Sequence, residues 1–182
     1  MNTFPTPAPI TAAFTVPAGR IQVIAADRTD TTVQIRPANP GKGRDAKAAE
    51  QASVEFTDGV LQVRAATGHP YLGGSGAIEV TVQLPAGSTV QAKAAATEFR
   101  AVGRLGEVAF DGAYQHIKID EAAGVHLTAT DGDVEVGHLS GPAQISTARG
   151  DIRINQATGG AVELRTQSGD ITVAAAPGVS AS

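Results

Sequence analysis

The chain contains no cysteine and no tryptophan. The first absence excludes disulfide staples, thiolate chemistry and cysteine-based metal sites. Aromatic residues of every kind make up 4% of the 182 residues, so ring platforms for stacking sugars are scarce and any core must be thin. No uninterrupted apolar run approaches the roughly 18 residues that a membrane-spanning helix needs. Residues 1–10 read MNTFPTPAPI, without the basic and apolar regions of a secretory signal. From these absences the protein is expected in the cytoplasm, with the cell surface as the alternative if a leader has been removed. Basic residues are also short: 14 Lys and Arg against 18 Asp and Glu leave a net charge of −4. That balance argues against a phosphate-backbone partner, so no nucleic acid is expected.

What is present points to short strands. Hydrophobic residues reach 42%, enough for a core of Val, Ile, Leu and Ala. Twenty-one glycines and ten prolines imply many turns in place of long helices. Charge is unevenly placed. Residues 1–104 carry ten Lys and Arg against eight Asp and Glu, whereas residues 105–182 carry four against ten. The second half therefore presents an acidic surface.

One phrase recurs in that half: Asp131-Gly132-Asp133-Val134-Glu135-Val136, Arg149-Gly150-Asp151-Ile152-Arg153-Ile154 and Ser168-Gly169-Asp170-Ile171-Thr172-Val173. With the Gly-Asp degraded, Thr97–Ala101 and Gln115–Ile119 join the series. The apolar column is Phe99, Ile117, Val134, Ile152 and Ile171, with steps of 18, 17, 18 and 19. A second pair of columns lies between: Val108, Val125, Ala143 and Val162, then Phe110, Leu127, Ile145 and Leu164. Each repeat thus holds two short segments of period-two alternation, which is the strand signature. Glycines at 103, 106, 124, 137, 141, 159 and 160 are expected to punctuate them. Two strands per repeat of about 18 residues imply one rung of an all-β, parallel β-solenoid, a β-helix-like stack of inward Ile, Val and Leu.

The first hundred residues read as the same design with insertions. Ile10–Val16, a Pro17-Ala18-Gly19 turn and Ile21–Val23 are matched by Ile78–Leu84, Pro85-Ala86-Gly87 and Val90–Ala92. Between them, Val54–Phe56 and Leu61–Val63 are expected to form a hairpin through Asp58-Gly59. Residues 44–52 are the one good helix, expected to be capped by Asp45. Residues 69–76 are expected to form a flexible loop. The resulting organisation is a flexible N-terminus over 1–9, a single domain over 10–174 and a flexible C-terminus over 175–182. Within the domain, irregular rungs fill 10–96, with insertions at 37–52 and 66–76, and regular repeats fill 97–174.

The Gly-Asp-[Ile/Val]-x-[Ile/Val] turns, led by an alternating strand, a Pro-Ala-Gly turn and a segment like Asp45–Glu50, resemble the bacterial β-strand-repeat family of putative adhesins, a domain of unknown function. The resemblance runs from about Ile10 to Val173. It implies a parallel β-solenoid and brings no activity or catalytic residues with it.

Candidate chemistry concentrates in the turns Gly132-Asp133, Gly150-Asp151 and Gly169-Asp170. They stack Glu98, His116, Asp133, Asp151 and Asp170 into one column, with neighbours ~4.8 Å apart. Two carboxylates at that spacing repel by ~1 kcal/mol in water. Turn amides that donate to each Asp would relieve this. The sharper alternative is a Ca²⁺ column at Asp133, Asp151 and Asp170. The Ca²⁺-binding roll, however, repeats its Asp every nine residues or so, and the turn reading is preferred. Arg149-Gly150-Asp151 spells a cell-attachment tripeptide, yet each residue occupies a slot of the repeat. Of the histidines, His69 falls in a loop, His116 in the Asp column and His138 in a turn, and His126 points outward between Val125 and Leu127. No metal-ligand constellation results.

No catalytic residue, cofactor or phosphate-binding loop is legible. The expected function is a non-catalytic protein-interaction or scaffolding module with an unknown protein partner. A surface adhesin is the first alternative and a carbohydrate-active β-helix enzyme the second. The last repeat exposes its edge, so a homodimer through the C-terminal rung around Val173 is expected.

Overall fold

Alternation in the sequence becomes strand throughout. The computed structural model describes residues 1–66, 75–175 and 180–181, with the backbone alone at 114, 115, 180 and 181. The elements in order are β1 (Asn2–Pro5), β2 (Thr11–Ala26), β3 (Asp30–Pro37), α1 (Gly43–Gln51), β4 (Ser53–Thr57), β5 (Val60–Arg64) and β6 (Ile78–Pro85). They continue with β7 (Thr89–Asp131), β8 (Asp133–Leu139), β9 (Ala143–Arg149), β10 (Ile152–Ala157), β11 (Ala161–Ser168), β12 (Ile171–Ala175) and β13 (Ser180–Ala181). The thirteen strands join one hydrogen-bonded sheet, and most pairings are parallel. The all-β expectation holds.

The 43 residues of β7 would run on the order of 140 Å if straight, several times the ~16 Å radius of a domain this size. The strand therefore turns corners and passes the same neighbours repeatedly. Its first stretch pairs β2 from Thr11↔Thr89 to Ile24↔Val102. Later stretches pair β8 through Ile117↔Val134 and β9 through Val125↔Ala143. Two ladders result. One runs β4-β5-β2-β7-β9-β11-β13, and the other runs β1-β3-β6-β2-β7-β8-β10-β12. β2 serves both, with residues 11–15 on the first and 19–26 on the second.

The inward columns lie in the expected register. Val134 pairs Ile152, Ile152 pairs Ile171, Ala143 pairs Val162 and Ile145 pairs Leu164. Their side chains are buried, apart from Ile171 at 44% exposure. Phe99 and Phe110 meet across the core at 5.6 Å, edge to face, which places the few rings where they bury the most area.

The N-terminal half departs from the expectation. Residues 1–9 are not a free terminus: β1 pairs β3 antiparallel, and buried Thr6 shares a 2.8 Å hydroxyl bond with Thr31. β3 and β4 are antiparallel to β6 and β5, so the region is not simply a run of irregular rungs. β2 also stands between strands that follow it in sequence, because β5 and β6 pair one side of it and β7 the other. The two Pro-Ala-Gly phrases are not equivalent. Pro17-Ala18-Gly19 lies inside β2, whereas Pro85-Ala86-Gly87 connects β6 to β7. Phe14 pairs Ala92, a partner that the phrase matching did not give it. Period-two text is self-similar at any even offset, so local phrasing could not choose the register.

The hairpin is as expected: Asp58 and Gly59 take φ of 51° and 77° between β4 and β5, the left-handed pair of a tight hairpin turn. The helix forms one residue earlier, at 43–51, but Asp45 does not cap it. Its buried carboxylate accepts from the amides of Asn39 at 3.2 Å and Ala77 at 2.9 Å, tying α1 to the entry of β6. Of the loop expected at 69–76, residues 69–74 lie outside the described residues, as does His69 with them. At the other end, β13 pairs Ala161↔Ser180 and Val162↔Ala181. Residues 180–181 are thus strand, paired with β11, and not free terminus.

Ile152 is fully buried and Arg153 is exposed. Ile152→Asp places an unpaired carboxylate in the core and is expected to abolish folding. Arg153→Gln should change stability by less than about 0.5 kcal/mol. Urea unfolding followed by circular dichroism reads both, and equal tolerance would overturn the register.

Candidate functional site

The Gly-Asp turns form a ladder that terminates strand after strand on one rim. Asp133 Oδ1 accepts from the amide of Asp151 at 2.9 Å, and Asp151 Oδ1 accepts from the amide of Asp170 at 2.8 Å. Each carboxylate thus bonds the turn one pass further on, which offsets the repulsion between neighbouring charges. Gly150 makes the approach possible. Its φ is 128°, and a Cβ there would lie 2.2 Å from the Gly132 carbonyl oxygen. Gly169 repeats the arrangement against Gly150 at 2.1 Å.

The three Asp residues are exposed, and Asp133 and Asp151 already spend one oxygen on an amide. Among the described residues no group of three or more His, Asp and Glu side chains is placed to hold a metal ion. Arg149 of the Arg-Gly-Asp tripeptide is engaged: its Nε and Nη2 reach both oxygens of Asp131 at 2.7 and 2.8 Å. That fork joins neighbouring strands, since Asp131 pairs Arg149 in register.

Other outward groups pair in the same manner. Arg20 lies between Glu98 at 3.1 Å and Glu79 at 3.8 Å, its register partners on either side. His138 faces Glu121 at 3.5 Å and Thr158 at 3.1 Å. The Arg28 Nε bond to Asp30 at 2.9 Å holds that carboxyl below the ordinary carboxylate range. The contribution is therefore present at neutral pH and is lost as pH falls through the lowered value. His116 stands opposite Asp133 and His126 is exposed.

Two outward features were not singled out in the sequence. On the second ladder, Gln22–Arg100, Lys118–Glu135–Arg153 and Arg153–Thr172 are register partners. A 3.3 Å bond from the Gly103 amide to Asp120 brings the Arg100 and Lys118 stretches of β7 together. On the first ladder, a groove of about 460 Å³ crosses β2 and β7, with Lys93, Asp111 and His126 on its walls. A second hollow of about 330 Å³ lies beyond His126, beside Glu107 and Glu163. The signal was available: Arg100, Lys118, Glu135, Arg153, Asp111 and His126 each follow a member of an inward column by one residue.

Asp151→Ala removes the acceptor for the Asp170 amide and is expected to cost about 1 kcal/mol. Gly150→Ala should cost more, since both φ and the close approach forbid the methyl. Arg149→Ala should cost at most about 1 kcal/mol. Melting curves with added Ca²⁺ and with EDTA should coincide, and a rise with Ca²⁺ would restore the metal reading.

Among solved structures, the chain is similar to a putative cell adhesion protein from Clostridium sporogenes at 8% identity, covering 96% of this chain and 98% of that one, with a TM-score of 0.46. It is also similar to a putative adhesin from Bacteroides fragilis at 11% identity, covering 100% and 95%, with a TM-score of 0.43. No curated protein matches it. The Toastrack DUF4097 family matches residues 13–180. That span takes in β3 to β12 and every Gly-Asp turn, and the chain belongs to the Toastrack DUF4097 family.

Proposed function

We propose that the chain is a non-catalytic protein-interaction or scaffolding module, built as a parallel β-solenoid of two-strand rungs of about 18 residues. One observation carries this reading: the outward row on the second ladder sets Lys118 and Arg153 on either side of Glu135, with Arg100 on the stretch of β7 beside Lys118. Among the described residues no ion pair engages these three cations. Strand pairing spaces successive members of the row, Glu135 included, at ~4.8 Å. A repeat surface of this kind suits an extended partner, and its charge suits an acidic protein face. Several carboxylates elsewhere have local partners, Asp131 with Arg149 and Glu163 with Arg165 among them.

The same reading includes a homodimer through the C-terminal rung. On β12, Ile171 is 44% exposed and Val173 is half-buried, and a strand edge of this kind is a template for pairing.

Affinity purification from the source organism, with cross-linking to locate contacts, tests the interaction face. Changing Arg100, Lys118 and Arg153 together to Glu should abolish capture of a partner cross-linked to this row while leaving the circular dichroism unchanged. Capture that survives the triple reversal would sink the reading, as would turnover on a polysaccharide panel. Light scattering should show mass doubling with concentration, and Val173→Lys should return the protein to monomer. A strict monomer at high concentration rules the dimer out.

A further inference from the structure

The groove on the first ladder lies apart from the row of cations. It spans adjacent passes of the sheet because two outward positions hold only a methyl group, Ala13 on β2 and Ala109 on β7. Around these hollows rise Thr15, Gln91, Lys93, Asp111, His126 and Thr128, all of them exposed. The register follows from close approach: a Cβ on Gly112 would lie 1.8 Å from the Ala94 carbonyl oxygen, so residues 93 and 111 stand side by side on adjacent passes. Lys93 and Asp111 nevertheless form no ion pair, and among the described residues neither they nor His126 have a side-chain hydrogen-bond partner. Their neighbours at the rim behave differently, as Arg149–Asp131 and Arg20–Glu98 do pair across strands. Polar capacity is thus left open inside this groove.

We propose that this groove binds a saccharide, gripping two adjacent hydroxyl groups between Lys93 and Asp111. The chemistry selects the class. A simple anion is repelled by Asp111 and a simple cation by Lys93, while the two charges together cancel. A hydroxyl both donates and accepts, so one member of a vicinal pair donates to the Asp111 carboxylate while the other accepts from the Lys93 ammonium. Such charge-assisted bonds are roughly twice as strong as neutral ones. Gln91, His126, Thr15 and Thr128 supply further donors and acceptors for the remaining hydroxyls. The methyl floor of Ala13 and Ala109 receives the C–H face of the ring. A volume of about 460 Å³ lies within the range of about 300–1,000 Å³ usual for small-molecule sites. Phe14 and Phe110 beneath the floor are each 2% exposed and offer no stacking face, so polar contacts carry the binding and the affinity is millimolar.

The site does not depend on the protein-interaction reading, because it lies on the other ladder. The test is titration of the ¹⁵N-labelled full chain with glucose, galactose and mannose in turn, followed by amide chemical shifts, with glycine as a zwitterionic control. At least one hexose should shift the amides of residues 91, 93, 109, 111 and 126 saturably. Asp111→Asn and Lys93→Gln should each weaken it by about tenfold or more, with circular dichroism verifying that both fold, whereas Gln156→Ala, exposed on the other ladder, should leave the titration unchanged. Absence of a saturable shift with all three hexoses overturns the proposal. So does unaltered binding in the two groove variants, or a response to glycine in place of the sugars, which would mean that the charges alone select the ligand.

Discussion

Everything in this molecule depends on in-register parallel apposition of successive passes of the chain. Side chains alternate with a period of two, so a slip of one residue would exchange every inward Ile for its outward polar neighbour. Val134, Ile152 and Ile171 stay aligned because each is hydrogen-bonded to the pass beside it. At the rim the backbones come closer than side chains permit, and Gly150 and Gly169 occupy those points. The Asp after each glycine then bonds the next turn and locks the spacing that the core requires.

The same register dictates the surface. Once the inward columns align, the outward residues also fall into rows, and each row must reconcile its charges at strand spacing. At several places it does so by alternation: Arg20 between Glu79 and Glu98, Arg149 against Asp131, His138 against Glu121. At two places it does not. The cations around Glu135 and the unpaired Lys93 and Asp111 retain binding capacity that the fold itself leaves unused, one on each ladder. The proposed interaction function and saccharide site rest on these features.

The N-terminal half solves a different problem, which is how to begin such a stack. A parallel pile exposes a backbone edge, and edges invite unwanted pairing. Here antiparallel β1, β3 and β4 flank the first parallel strands. Asp45 holds the long excursion through α1 in place by bonding amides at residues 39 and 77. β2, although early in the sequence, becomes the strand on which β5 and β6 assemble from one side and β7 from the other.

Alternation, the Gly-Asp phrase and the steps of 17 to 19 residues by themselves determined that the second half is strand, which residues face inward and which glycines are obligatory. They did so because a stacked repeat writes its contacts periodically along the chain. Sequence could not order the first half, since Pro17-Ala18-Gly19 and Pro85-Ala86-Gly87 read alike and only long-range pairing distinguishes a strand interior from a turn. Nor could it give Asp45 its role, because a helix-capping carboxylate and a buried amide acceptor look identical in one dimension. The candidate sites divide in the same way. The Asp ladder was legible as a repeat, whereas Lys93, Asp111 and His126 are separated by 18 and 15 residues and share a groove only because three passes of one strand lie side by side. Tertiary structure alone decided which outward charges are paired and which are left free.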